Sequence, residues 1–133
     1  MPEPTDLHDI TIIGGGPTGL FAAYYAGFRG LKAKIVDSLP ELGGQLTAAY
    51  PEKYIYDVPG FPKVLAKDLV KNLAEQALPY GPTLCLGERV QKLEPSGEKH
   101  LWILTDRAEH WTRALIITTG SVQIGRASCR ERV

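Results

Sequence analysis

A chain of 133 residues suits one domain, and its formal net charge of zero, with Lys and Arg scattered along it, gives no footprint for nucleic acid or an anionic membrane. Apolar runs such as residues 115–117 fall far short of the ~20 residues that cross a bilayer, and the polar, acidic residues 1–9 have no signal-peptide character, so a cytoplasmic protein handling a small molecule is expected. Cys85 and Cys129 lie far apart with no CxxC or His/Cys ligand spacing, and His8, His100 and His110 stand apart from any serine or acid pattern. No metal site and no catalytic triad is expected, and the histidines are read as surface or strand-end residues.

A short β-branched run at 10–13 leads straight into Gly14-Gly15-Gly16-Pro17, then a helix-permissive stretch at 20–28 and a second apolar run at 33–36. The order is strand, glycine turn, helix, strand. Gly30 falls where the helix should stop and suits a left-handed cap, while Pro17 fits the first helical turn, where its missing N–H has no partner to lose. From 38 to 62 the chain is rich in Gly, Pro and Tyr without a period, a long loop of the kind that binds something. Leu65, Leu69, Leu73 and Ala77 recur at helical spacing with Lys67, Asp68, Lys71 and Glu75 between them, so 64–77 is read as an amphipathic helix. Strands are expected at 83–86, 88–93, 101–105, 110–113 and 115–119, with turns at Pro95-Ser96-Gly97 and Asp106-Arg107. They form a small antiparallel β-meander placed before a last buried strand.

Gly14-x-Gly16-x-x-Gly19, with Pro17 and Thr18 between, follows a strand, opens a helix and is trailed by Asp37 at the end of the second strand. Gly14 permits the tight turn, Gly16 lets backbone approach a pyrophosphate, and Gly19 lets helix and strand pack closely; the helix N-terminus adds N–H groups and a positive dipole. Asp37 can accept hydrogen bonds from ribose hydroxyls, and its charge repels a 2′-phosphate, which points to FAD or NAD in this unit and not NADP. The bland alternative is a glycine turn plus a capping or surface aspartate. The intact βαβ context favours a dinucleotide, and the fold class is α/β, a Rossmann-type FAD-binding βαβ unit with a parallel sheet.

Residues 10–20, Asp37 and Leu42-Gly43-Gly44-Gln45-Leu46 resemble the FAD domain of thioredoxin reductases and their relatives. The stretch GGQLTAAYPEKYIYDVPGFP, residues 43–62, resembles more narrowly the thioredoxin-reductase-like ferredoxin–NADP reductases. That resemblance, which covers about residues 9–120, implies FAD in the first dinucleotide fold, NADPH in a second domain, a homodimer, and ferredoxin or flavodoxin as the electron carrier. It makes Asp37 the ribose ligand, Gly44 and Gln45 contacts near the flavin, and Tyr50 the aromatic on the isoalloxazine face. Val90 matches a position where backbone meets adenine, and is equally well a core strand residue. Tyr54 and Tyr56 are further flavin wall or packing, with packing the favoured reading. Residues 112–120 resemble the strand and turn that close near the cofactor. No catalytic acid or base is expected, because the flavin carries the chemistry.

Residues 124–133, IGRASCRERV, match the translation of a widely used sequencing adapter. The expectation is therefore that 1–123 is the N-terminal part of an FAD-binding domain and 124–133 is not native. On that reading this chain is a truncated piece of a two-dinucleotide-binding-domain flavoprotein, and it carries FAD binding alone. Thioredoxin reductase, or a related disulfide oxidoreductase, is the near alternative. A non-enzymatic dinucleotide-binding module is the alternative of another class, disfavoured because a sensor of ADP-ribose needs no flavin wall.

Overall fold

The computed structural model describes residues 6–49 and 52–120, apart from the side chain of Gln45. β1 (Leu7–Ile13), α1 (Pro17–Phe28) and β2 (Ala33–Asp37) form the expected βαβ unit. After them come α2 (Gln45–Ala48), β3 (Tyr54–Ile55), β4 (Val64–Leu65), α3 (Ala66–Ala77) with a 3₁₀ turn at Leu78–Tyr80, and β5 (Thr83–Leu86), β6 (Val90–Ser96), β7 (His100–Thr105) and β8 (Glu109–Ile117). One six-stranded sheet runs β5-β2-β1-β8-β7-β6. Its β5-β2-β1-β8 half is parallel, and β8-β7-β6 continue it antiparallel. β3 and β4 form a separate two-stranded ribbon.

Successive residues of a strand point to opposite faces, and here apolar side chains of β1 and β2 are covered on both. Ile12, Ile35 and Ile116 pack with Leu20, Ala23 and Ala77 from the two long helices. Their neighbours Ile13, Val36 and Leu115 pack with Val90 and Ile103 on the other side. α1 ends as expected: Gly30 has φ +80, and Leu31 N–H donates to the Ala26 carbonyl at 2.9 Å. Its outer side carries Phe21, Tyr25 and Phe28, all about half exposed or more and stacked on one another.

Several expectations need correction. The 38–62 segment is not structureless, since it holds α2 and β3. The third helix begins at Ala66, because Val64 and Leu65 pair with Ile55 and Tyr54. The two expected strands at 110–113 and 115–119 are one strand, β8, held straight through Ala114 by its parallel pairing to Ile10. It is not buried throughout, with Ile117 56% exposed. β6 runs on through Pro95 and Ser96, moving the turn to 97–99, and as the sheet's edge strand it tolerates a proline. Tyr54 and Tyr56 are exposed and not packed, the first under the Lys63 ammonium, 4.6 Å from its ring centroid. His8 and His110 stand at the starts of β1 and β8, as strand-end residues, but are buried, at 1% and 5% exposure, and not on the surface. No helix among the described residues is long and apolar enough to cross a membrane.

Candidate functional site

The glycine turn is tied to the strands on both sides of it. Gly14 N–H donates to the Val36 carbonyl at 2.8 Å, Thr118 N–H donates to Ile13 O at 2.8 Å, and Thr118 Oγ1 donates to Gly14 O at 3.0 Å. Gly14 sits at φ +116, where a Cβ would run into the Thr118 backbone, and a Cβ on Gly19 would run into the Gly14 carbonyl. Both requirements for glycine are therefore steric. Gly43 N–H donates to Gly15 O at 2.8 Å, laying Gly43 and Gly44 across the turn opposite Gly16. Asp37 closes the arrangement: Oδ2 accepts from Gly15 N–H at 2.6 Å and Oδ1 from Leu39 N–H at 2.9 Å.

A cavity of about 240 Å³ opens beside this turn. One wall is Gly14, Gly16, Pro17 and Thr18 at the start of α1, whose N-terminus has no side-chain cap. A second is Asp37, Ser38 and Leu39, a third Glu88, Arg89 and Val90, and Thr118–Gly120 lie at its edge with Gly44 and Leu46. Uncapped helix N–H groups and an adjacent buried carboxylate are the chemistry that a pyrophosphate and a ribose require. The volume is below the ~300–1,000 Å³ of pockets that enclose a whole drug-sized ligand. These residues fit the ADP half of a dinucleotide.

Of the residues expected at the site, Gly14, Gly16, Pro17, Thr18, Asp37, Gly44 and Val90 converge on the cavity, and Gly19 packs directly beneath the turn. Val90 is also 3% exposed core, so its two readings both hold, and a β-bulge between Val90 and Lys92 follows it. The Gln45 side chain and Tyr50 lie outside the described residues, as does 121–133. Ser38, Leu39, Glu88 and Arg89 were missed; a wall built by such turns carries no sequence signature.

Behind the third wall lies a buried polar chain. Lys34, 1% exposed, donates from Nζ to His110 Nδ1 at 2.8 Å and to Asp6 Oδ2 at 3.0 Å. With Nδ1 accepting, the His110 proton sits on Nε2 and is donated to Glu88 Oε1 at 2.9 Å, which also accepts from Thr105 Oγ1 at 2.8 Å. Burial raises the Glu88 carboxyl, but the His110 and Thr105 hydrogen bonds outweigh it and hold it below the usual range. Burial, and then Glu88, pushes the Cys85 thiol up to about 11. The potential ligand atoms of Cys85, Glu88 and His110 lie within 4.8 Å of one another, a cluster that sequence spacing did not reveal. The Lys34 ammonium already supplies positive charge beside it.

Burial, and then Lys34, holds the His8 imidazole below its ordinary 6.5. A depressed folded pKa gives stability that is present above the unfolded value and lost as pH falls. Stability should therefore decline below about pH 6.5 through His8, and further below about 4.5 through Glu88. Urea midpoints between pH 7 and 5 test this: H8Q should flatten the slope, and an equal slope in both proteins would remove His8 from the acid response.

Comparison with known proteins agrees with this geometry. Residues 9–103 match the family model described as FAD dependent oxidoreductase. The chain is 54% identical over 121 residues to "Ferredoxin--NADP reductase 2" of Listeria monocytogenes and to "Ferredoxin--NADP reductase" of Halalkalibacterium halodurans, covering 91% of this chain and 37% of each relative. It thus spans little more than a third of their length. Among solved structures, thioredoxin reductase from Streptococcus pyogenes superposes with a TM-score of 0.76 at 28% identity, over 88% of this chain and 36% of that one. Thioredoxin reductase from T. acidophilum gives 0.73 at 29%, over 86% and 36%. The turn, the carboxylate and the family match together place this chain in the FAD-dependent oxidoreductase family.

Proposed function

We propose that the chain is the FAD-holding front part of a reductase that passes electrons between NADPH and a ferredoxin or flavodoxin. The observation that carries the reading is the uncapped start of α1 facing the Asp37 carboxylate across one cavity. In this reading Gly14, Gly16, Pro17, Thr18 and Gly19 form the pyrophosphate turn, Asp37 holds the ribose and Val90 borders the adenine. Gly44, Gln45 and Tyr50 serve the flavin end. Bound FAD would supply the conversion between a hydride donor and one-electron carriers. This chain's residues bind and orient it, and none is assigned as catalytic.

The domain reading is also ours: 1–123 as the N-terminal part of the FAD domain, 124–133 as adapter-derived, and NADPH bound by a domain outside this sequence. A cytoplasmic homodimer is the expected state of the whole enzyme. Thioredoxin reductase remains the second reading, favoured by the structural likeness at 28–29% identity. The 54% identity to proteins named ferredoxin–NADP reductase favours the first.

The test is to express residues 1–123 with and without 124–133 and to measure FAD titration and NADPH-dependent ferricyanide reduction. FAD should bind weakly, NADPH should not be oxidised, and the tail should make no difference. Turnover of NADPH would show that the nucleotide-reducing half is present after all, and loss of folding without the tail would make 124–133 native. No binding of FAD under any condition would remove the reading itself.

A further inference from the structure

The crossing from β5 to β6 makes one wall of the cavity, and it is tied down from both directions. Gly87 N–H donates to Leu39 O at 3.0 Å and Glu88 N–H to Asp37 O at 2.9 Å, fixing the crossing to the end of β2. Arg89 N–H donates to Asp106 Oδ1 at 2.9 Å, and Asp106 N–H returns a bond to Arg89 O at 3.1 Å. The Glu88 side chain enters the buried chain, where one oxygen accepts from both His110 and Thr105. Glu88 is thus bonded to Asp37 through its backbone and, through its side chain, to the Lys34–His110 pair.

We infer that Glu88 is a positioning residue for the adenosine end of the cavity. Its anchorage to His110 and Thr105 sets the distance between the wall at Glu88–Val90 and the carboxylate of Asp37. This rests on the FAD reading above and deepens it. A binding wall held by outer bonds is already in its bound geometry, so binding spends less on ordering it. The groups facing the Glu88 carboxylate are Cys85 from β5, Thr105 from β7 and His110 from β8. Lys34 from β2, with Asp6 beyond it, stands behind His110.

The test uses the full chain and two probes, ADP and FAD. E88A should bind both about tenfold more weakly and by the same factor, the effect of losing two bonds to a charged acceptor. E88Q should stay within about twofold of wild type, because its amide oxygen accepts the same two bonds. A role in general stability alone would lower the melting temperature of E88A and leave both affinities unchanged in the cold, which would overturn the inference. E88Q as weak as E88A would overturn it too, since charge and not anchorage would then set the affinity. If E88A does not fold, E88M, which keeps the volume and drops the acceptor, is read the same way. Wild type binding neither probe ends the FAD reading and this inference with it, whereas wild-type binding with an unaffected E88A or E88M ends this inference alone.

Discussion

Alanine at position 19 is expected to abolish both cooperative unfolding and FAD binding. The added methyl would meet the Gly14 carbonyl and lie 2.9 Å from Thr118 Oγ1, and neither can withdraw easily. Gly14 O accepts from Thr118 Oγ1, and the Thr118 N–H is bonded to β1. Relief would require α1 to lift from β1, opening the contacts of Leu20 and Ala23 with Ile12. Overpacking a side chain costs about 1–3 kcal/mol, and a clash against hydrogen-bonded backbone should exceed that, a large share of the ~5–15 kcal/mol that holds a domain together. Gly30 is the control. It also has positive φ, but a methyl there meets nothing within 4 Å, so G30A should cost only the ~1–2 kcal/mol of left-handed strain. Circular dichroism melts of both variants decide the matter, and a wild-type-like melt for G19A would show that helix and turn do not approach as closely as described.

Asp37→Ala should strike binding and stability together. The carboxylate is 8% exposed and accepts from Gly15 N–H and Leu39 N–H, so truncation strands two donors at the turn that shapes the cavity. Bonds to a charged acceptor are worth about 1.5–3 kcal/mol each, and a loss of about 2–4 kcal/mol in stability is expected. FAD affinity should fall by a further ~1–3 kcal/mol for the ribose contact. Asparagine is a poor rescue, because one of its two heads is an NH₂ facing an N–H where the carboxylate had an acceptor. Urea titration and FAD fluorescence quenching read the two effects separately. An unchanged FAD affinity in D37A would take Asp37 out of the site.

The legible parts of the molecule are those whose partners are near in sequence or forced by backbone sterics. Gly14, Gly16, Gly19 and Asp37 belong to one βαβ unit, and the local order of elements sufficed to bring them together. Of the third wall only Val90 was named, by resemblance; Glu88 and Arg89 were not legible, because they reach the cavity only through the parallel pairing of β5 with β2. Nor was the buried chain: Lys34 and His110 are 76 positions apart, and an isolated lysine or histidine in a strand gives no hint of a partner across the sheet. The exposed Tyr54 and Tyr56 mark the limit of the rule that aromatics are buried for area. Gly43 and Gly44 were recognised by resemblance, and the structure adds a steric reason, since they take positive φ directly over the turn.

β1 lies in the middle of the sheet, with β2 on one side and β8 on the other, and Ile13 is paired with Ile117. During synthesis the β2 side can be filled almost at once, but the other edge must wait for about a hundred further residues to leave the ribosome. Closing so long a loop is slow, and until it closes β1 presents an open hydrogen-bonding edge of apolar sequence. A nascent chain stalled before residue 109 would carry the whole glycine motif without the Thr118 that ties it down and would be an aggregation template, so translation speed and chaperone supply should govern its yield.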